Sequence, residues 1–309
     1  MLGWMMKNTE QKVLSDNDER LAFLQVMIGA VLISFSGVYV KLAHVSPTAS
    51  GFYRVLIGGL ILLILAMLKR TRLWKSIPHF CLGIFCGFVF ALDLFVWHKS
   101  IHYVGPGLAT ILANFQVFLL ALFGVLVLGE KIQIRLILAI PLAFAGLFMI
   151  VGIDWNHLGE GYKTGIFLGL GTAVCYAAYV LTLRKLQSGE APLSPMANLV
   201  LVSFSTAAFL GMVMWQEGDT LAIPDPQSFF SLFAYGLFSQ AIGWILISKG
   251  LSKVRASIAG LLLLLQPSLA FVWDMIFFNR AAGMSSVMGA ILAITAIYMG
   301  TTGGTNQKK

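Results

Sequence analysis

The sequence has few charges and few cysteines for its length. Asp, Glu, Lys and Arg make up 11% of the 309 residues, whereas a soluble domain averages about 25%. The three cysteines lie in apolar stretches, form no CxxC pair and have no spacing suited to a metal, so they are expected to be small core residues. The chain also lacks an ATP-binding motif, an HExxH motif and an Asp-rich cluster, so nothing in it indicates ATP hydrolysis or metal-dependent chemistry.

Apolar residues dominate instead. They make up 58% of the chain, and the mean hydropathy is +0.86. Ten apolar stretches are each long enough to cross a hydrocarbon core of about 30 Å, and within lipid such stretches must be helical. The predicted fold class is an all-α integral membrane protein with ten transmembrane helices, called the first to the tenth span, at residues 21–42, 48–68, 79–98, 104–128, 133–152, 163–183, 195–215, 229–249, 255–279 and 284–302.

One apolar stretch occurs twice. Val104–Glu130 aligns with Val254–Arg280 at a shift of 150 residues without a gap, and Gln116 then meets Gln266. A duplicated span with an amide at the same depth indicates a transporter made of two homologous halves, with its site where the halves meet. The predicted organisation is an N-terminal segment, two five-helix repeats and a short tail, at residues 1–20, 21–152, 163–302 and 303–309.

The basic residues predict the orientation in the membrane. Sixteen of the 21 Lys and Arg residues fall on one side of the predicted spans, four fall on the other, and Arg54 alone lies inside a span. By the positive-inside rule both termini are cytoplasmic, and a bacterial inner membrane is the expected location. This distribution explains the net charge of +8 better than nucleic-acid binding does. Because five spans per half is an odd number, the halves are expected to be inverted with respect to each other.

Asp93 is the most informative single residue. A charge inside the third span costs about 2.5–3.5 kcal/mol on insertion scales, so it should face a partner or a wet cavity. Arg54 in the second span is predicted to lie at a similar depth, close enough to form an ion pair. That pair could be structural, or Asp93 could be a carboxylate linked to a proton or to the substrate. Trp97 follows Asp93 by one helical turn and could line the pathway or anchor the helix at the interface.

Uncharged polar residues at mid-depth are the other candidates for a binding site. Gln116 and Gln266 are expected to line a cavity at the pseudo-two-fold axis, although amides between helices can also serve only as packing contacts. Asn114 points about 200° away from Gln116 on an ideal helix, so the two amides are not expected to face one cavity squarely. Further candidate substrate-binding residues are Tyr39, Tyr176, Tyr179, Gln240 and Trp244.

Four local patterns resemble one known family, the EamA type of the drug/metabolite transporter superfamily. They are Phe52-Tyr53-Arg54, the link Ser100–Val104, the ending Leu128-Gly129-Glu130-Lys131 and the pair Gln266-Pro267. The chain departs from the pattern with Asn279-Arg280 at the second ending and with Val117 in place of a first-half proline. The resemblance implies ten spans in two repeats, with the first, third, fourth, sixth, eighth and ninth spans around the route. It also implies export of amino acids or other metabolites.

The functional hypothesis is a secondary active or facilitative transporter, most simply an exporter, of a small metabolite such as an amino acid. It would work by alternating access around a cavity at the membrane midplane. The expected partners are the substrate, the lipid bilayer and, as a candidate coupled ion, the proton; no cofactor, metal site or nucleic acid is expected. An integral-membrane enzyme and a non-transporting receptor or assembly factor are the alternatives.

Overall fold

The computed structural model describes residues 16–130, 134–151, 160–188, 193–279 and 283–302, and these residues form helices without a strand. Most of the predicted N-terminal segment and the predicted tail 303–309 lie outside the described residues. The helices are α1 Asp16–Ser34, α2 Ser36–Leu42, α3 Pro47–Leu68, α4 Ile77–Ala113, α5 Gln116–Leu126, α6 Ile134–Val151, α7 Glu160–Leu186, α8 Pro195–Glu217, α9 Pro226–Ala234, a π-helical segment Tyr235–Gly243, α10 Trp244–Leu251, α11 Ala256–Leu263, α12 Leu265–Phe278 and α13 Met284–Thr302.

Capping residues followed by proline start four of these helices. The side chains of Ser46, Ser76, Ser194 and Asp225 each accept a hydrogen bond from a backbone N–H in the first turn, and a proline follows within two residues. A proline at this position loses no helical hydrogen bond, because the first N–H groups of a helix have no partner within it. Pro47, Pro78 and Pro195 therefore mark the starts of the second, third and seventh spans.

Eight helical stretches of the described chain are long and apolar enough to cross a membrane. They correspond to the first four predicted spans and to the sixth to ninth. The fifth and tenth predicted spans appear as shorter apolar helices, at residues 134–149 and 284–300. The all-helical membrane architecture is confirmed, whereas the count of ten crossings stays a prediction.

The packing of the helices agrees with a two-fold relation between the halves: exchanging the halves turns each packed pair of helices into another packed pair or into itself. Helix α4 packs along α7, which pairs the third span with the sixth; α1 packs along the π-helical segment and α10, which pairs the first span with the eighth. The pairs α3 with α8, α5 with α11 and α6 with α13 each match a span with its own repeat equivalent. The largest cluster of buried apolar side chains draws on both halves, so the main core lies between them.

The predicted link between the third and fourth spans lies within one helix. Helix α4 continues through residues 99–103, which the sequence placed between the two spans. The chain nevertheless turns back here. A Cβ on Gly169 would lie 2.7 Å from Leu112 Cβ and 3.1 Å from Ser100 Oγ, so Ser100 and Leu112 lie close together. Twelve residues of straight helix would separate Ser100 from Leu112 by about 18 Å. The connection is therefore a helical bend that closes around Gly169.

The fourth and ninth spans are both interrupted at equivalent positions. The fourth breaks at Asn114 and Phe115, between α4 and α5, and the ninth breaks at Leu264, between α11 and α12. In the ninth span Pro267 lacks the N–H that would continue the helical ladder. The first half has Val117 at the equivalent position and still breaks, so the interruption belongs to the repeat and not to the proline alone. Interrupted spans in two equivalent places are typical of transporter binding regions.

Candidate functional site

Arg54 lies in the interior, with its guanidinium directed at the second half of the chain. It is 6% exposed. Its Nε donates to Gln240 Oε1 at 3.2 Å and its Nη1 donates to the Tyr235 hydroxyl at 3.1 Å. Its Cζ also lies 5.0 Å from the Tyr235 ring centroid and 5.6 Å from that of Phe90. Neutral acceptors and aromatic faces therefore compensate this buried charge.

The π-helical segment places both partners of Arg54. Tyr235 and Gln240 are five residues apart. A π-helix has hydrogen bonds between residues at this spacing and so places both side chains on one side, whereas an α-helix would point them in different directions. The segment also approaches α3 closely: a Cβ on Gly58 would lie 2.5 Å from Gln240 Cβ and 2.8 Å from the Gly236 carbonyl oxygen. Short π-helical segments are rare and occur frequently at functional sites.

Asp93 does not form the predicted ion pair with Arg54. Among the residues that the structure describes, no salt bridge joins the two, although Arg54 is the positive charge that acts on Asp93. The reason is that Arg54 is drawn to the π-helical segment, where Gln240 and Tyr235 accept its hydrogen bonds. The Asp93 side chain is 7% exposed, and its Oδ1 is buried without a hydrogen-bond partner.

An aromatic cluster lies beside these two charges. The Phe90 ring stacks on Tyr179 at 4.2 Å, and Trp244 meets Tyr179 edge-on at 4.8 Å. The Tyr179 hydroxyl and the Trp244 Nε1 are both buried without a hydrogen-bond partner. Buried polar atoms are almost always paired in folded proteins, so three unpaired atoms in one region indicate a place where a ligand or water bonds. We call Arg54, Asp93, Tyr179, Gln240 and Trp244 the central polar cluster.

The two repeat-related glutamines have different surroundings. Gln266 is half-buried, and its Nε2 donates to the Tyr176 hydroxyl at 3.3 Å. The Tyr176 ring in turn lies 6.4 Å from Tyr179, so Gln266 and Tyr176 adjoin the central polar cluster. Gln116 is fully buried, and both of its amide atoms lack a hydrogen-bond partner. Cavity lining by this glutamine pair stays a prediction.

The remaining predicted site residues are placed less centrally. The Tyr39 ring lies 5.9 Å from the Tyr235 ring, so Tyr39 reaches the residues around Arg54. Asn114 donates its Nδ2 to the Thr110 carbonyl oxygen at 2.8 Å, which occupies that amide group at the helix break. Trp97 is half-buried one turn beyond Asp93, and its role stays a prediction.

The sequence reasoning missed three residues of this region, Phe90, Tyr235 and Ser203. Ser203 accepts a hydrogen bond from Gln240 Nε2 at 3.0 Å. Phe90 could have been found, because it precedes Asp93 by three residues and so shares its helix face. Tyr235 could not, because an α-helical period places it away from Gln240. Within the described ranges, no group of three or more His, Cys, Asp or Glu side chains could hold a metal ion.

Polar side chains join the two halves at the end of the bundle that is predicted to be extracellular. Thr48 Oγ1 donates to Glu217 at 3.0 Å, and Lys99 Nζ lies 3.7 Å from the same carboxylate. Ser46 Oγ donates to Asp219 at 2.5 Å. In each contact the donor belongs to the first half and the acceptor to the second.

His44 and Asp225 form a further contact between the halves at this end. The His44 Nδ1 lies 2.8 Å from Asp225 Oδ2. The pKa of the Asp225 carboxyl is lowered to about 2, because it accepts a hydrogen bond from the Ser228 backbone N–H and bonds to the His44 ring. Asp225 therefore caps α9 and contacts the first half at the same time.

A membrane protein made of two repeat-related helical halves, with buried polar groups between them, has the architecture of a transporter. A family model described as the EamA-like transporter family matches residues 20–152 and again residues 163–302. The chain belongs to the EamA-like transporter family, and it is a multi-pass membrane transporter.

Curated relatives and a solved structure agree with this assignment. The chain is 26% identical to the uncharacterized transporter YvbV of Bacillus subtilis strain 168, over 93% of this chain and 92% of that protein. It is also 26% identical to the threonine/homoserine exporter RhtA of Salmonella typhimurium strain LT2, over 81% of this chain and 79% of that protein. One crystal structure matches with a TM-score of 0.78 at 16% identity, covering 91% of this chain and 97% of that one, which supports the fold alone.

Proposed function

We propose that this protein is a secondary active or facilitative transporter that exports a small metabolite such as an amino acid. It would work by alternating access around the central polar cluster. The observation that carries the proposal is the set of buried unpaired atoms there, namely Asp93 Oδ1, Tyr179 Oη and Trp244 Nε1. Each such atom left unpaired costs about 1–3 kcal/mol, and a polar ligand that bonds to them would recover that free energy.

The charges of the cluster suit a ligand that carries both signs. Arg54 is a fixed cation whose planar guanidinium suits a carboxylate, whereas Asp93 and the neighbouring aromatic faces suit an ammonium group. Because the two side chains do not pair with each other, a zwitterion could bind between them. The relative that is named a threonine/homoserine exporter acts on compounds of this kind, which supports an amino acid or a related compound as the substrate class.

Asp93 is also the proposed coupling residue. A buried carboxylate without an ion pair is costly when ionised, so it would take up a proton in this conformation. Both halves contribute to the cluster, Arg54 and Asp93 from the first and the remaining three residues from the second. Rocking of one half against the other would therefore change how closely Tyr179, Gln240 and Trp244 surround the two charges. The proton is accordingly the candidate coupled ion.

Flux into proteoliposomes tests the proposal. Purified protein is reconstituted, and uptake of a panel of labelled amino acids that includes threonine and homoserine is measured with and without a pH gradient. Replacing Arg54 with Gln removes the cation and is expected to reduce uptake of the transported compound at least about tenfold, the loss of one charged hydrogen bond. Replacing Asp93 with Asn should abolish any dependence of uptake on the pH gradient.

The matched control is Arg72→Gln, since Arg72 lies in the exposed connection after α3 and bonds only to the nearby Trp74 carbonyl oxygen among the contacts described. It should leave uptake unchanged. Absence of flux for every compound, with correctly folded protein, would contradict transport of an amino acid. Equal loss of uptake in Arg54→Gln and Arg72→Gln would contradict the proposed site.

A further inference from the structure

Glu130 makes a further polar contact between the halves, at the end of the bundle that is predicted to be cytoplasmic. Its Oε1 accepts from the Ala256 backbone N–H at 2.7 Å, and its Oε2 accepts from the Ser257 hydroxyl at 2.8 Å and from the Ser257 backbone N–H at 3.3 Å. The Arg255 Nε lies 3.9 Å from Oε2. The Glu130 side chain is only 8% exposed, so this carboxylate is almost fully enclosed by the second half.

The carboxylate caps a helix that has no cap of its own. Residue 255 precedes α11 and makes no side-chain capping hydrogen bond. The first N–H groups of a helix lack partners within it and carry partial positive charge, so a carboxylate there is favourable. In α11 that carboxylate comes from the other half of the protein.

The surrounding chain is shaped to hold Glu130 in this place. Gly129 has a positive φ of 66°, which turns the chain at the end of α5, and the Glu130 backbone N–H bonds back to the Gly124 carbonyl oxygen at 2.8 Å. A Cβ on Gly124 would lie 2.5 Å from Glu130 Oε2, so a larger residue would push the carboxylate out. These two glycines leave the space that the Glu130 side chain occupies.

The two halves are not equivalent in this feature. A shift of 150 residues relates Glu130 to Arg280, so the ninth span ends with a basic residue where the fourth ends with an acid. Arg280 lies outside the described residues. By sequence, the carboxylate therefore follows the fourth span, and a basic residue stands at the equivalent position after the ninth span.

We propose that Glu130 locks the cytoplasmic ends of the fourth and ninth spans together and must release α11 before the site opens to the cytoplasm. The proposal rests on alternating access and on the predicted orientation. It predicts that removing the carboxylate shifts the population of conformations toward the one that is open to the cytoplasm. The native Cys175, half-buried on α7 beside Tyr176, is a reporter of access to the central polar cluster.

The experiment measures how fast a membrane-impermeant maleimide labels Cys175 from each face. The background is Cys81→Ser with Cys86→Ala, and inside-out and right-side-out vesicles expose the two faces. Glu130→Ala is expected to raise the labelling rate from the cytoplasmic face about tenfold, as expected for losing charged hydrogen bonds, without raising the rate from the other face. Ser257→Ala removes only one of these bonds and should give a smaller rise of the same sign.

Glu217→Gln is the matched control, because it removes an acidic contact between the halves at the opposite end. It should not raise the rate from the cytoplasmic face. The lock would be overturned by an unchanged cytoplasmic labelling rate in both Glu130→Ala and Ser257→Ala, or by an equal rise from both faces. Neither result would contradict the proposed transport function. Absence of labelling from either face in every variant would overturn the alternating access on which the lock rests.

Discussion

At the scale of single residues, Gly58 sets how closely the second span approaches the π-helical segment. The space beside its Cα is occupied by Gln240 Cβ and Cγ and by the Gly236 carbonyl oxygen, none of which is the free end of a flexible side chain. Gly236 is equally restricted, by Ile57 and by the Gly58 backbone nitrogen. The contact between Arg54 and Gln240 depends on this close approach.

Replacing Gly58 with Ala should therefore push the second span away from the π-helical segment and lower the stability of the folded protein. Forcing a methyl group into this packed contact is expected to cost about 1–3 kcal/mol and to reduce transport as well. Thermal unfolding in detergent measures the first effect and proteoliposome flux the second. Gly37→Ala is the control, since a Cβ there meets nothing within 4 Å. Equal melting temperatures for the two variants would contradict the packing argument.

Also at the scale of single residues, Asp225 is expected to make the stability of the folded protein depend on pH. Because its pKa is lowered in the folded protein, its contribution to stability is present above the unfolded pKa of about 3.9 and is lost as the pH falls toward about 2. Asp225→Asn should melt below the wild type at pH 7, and the difference should narrow between about pH 4 and pH 2. A difference that stayed constant over that range would show that the charge of Asp225 is not responsible.

At the scale of helical elements, the interruptions in the fourth and ninth spans flank the glutamine pair. Gln116 begins α5 and Gln266 is the second residue of α12, so each amide follows a break directly. Short helical pieces at mid-membrane leave backbone groups that need local partners, which is tolerated where they line a cavity or meet a neighbour. The breaks therefore place backbone polarity where the halves meet.

Replacing Pro267 with Ala restores an N–H at the second break. The new group could bond to the Leu263 carbonyl oxygen and join α11 to α12, so we expect a higher melting temperature together with slower transport. Melting curves and initial rates of flux on the same preparation would separate the two effects. A variant that lost stability would indicate that the break is imposed by packing and does not depend on the proline.

The sequence revealed some of these elements and not others. Proline starts and Pro267 have chemical signatures, so the helix starts and the break in the ninth span could be anticipated from residue types. The bend after Ser100 also has a signature, because it contains Gly105-Pro106-Gly107, and such Gly-Pro combinations mark turns. The break at Asn114 has no such signature and follows from packing against the other half. The absent ion pair has the same origin: Arg54 and Asp93 matched in depth, but the π-helical segment offered Arg54 other partners.

At the scale of the whole molecule, the pairing of the helices agrees with an exchange of the two halves. Apolar length and the 150-residue repeat sufficed to predict an all-helical membrane protein in two related halves, because only helices and closed barrels satisfy their backbone groups within lipid. The five residues of the central polar cluster were named from the sequence, but their arrangement was not. Their mutual contacts depend on how helices from different halves cross.

The predicted topology can be checked on intact cells. Epitope tags at the two ends should both resist added protease and become accessible only after the membrane is permeabilised, because both termini are predicted to be cytoplasmic. A tag in the exposed connection around Asp219 should be accessible without permeabilisation. Opposite behaviour of the two ends would contradict an even number of crossings, and with it the ten predicted spans.

The bend around Gly169 has a mechanical consequence for the first half. Since α4 reverses direction between Ser100 and Leu112 and packs on Gly169 there, the third and fourth spans are joined by a short bend that is held against α7 and not by a slack loop. Backbone amides at residues 99–103 should exchange with deuterium as slowly as those of an ordinary helix. A tilt of the third span, which bears Asp93, would then be transmitted through this bend to the fourth span, which leads to Glu130.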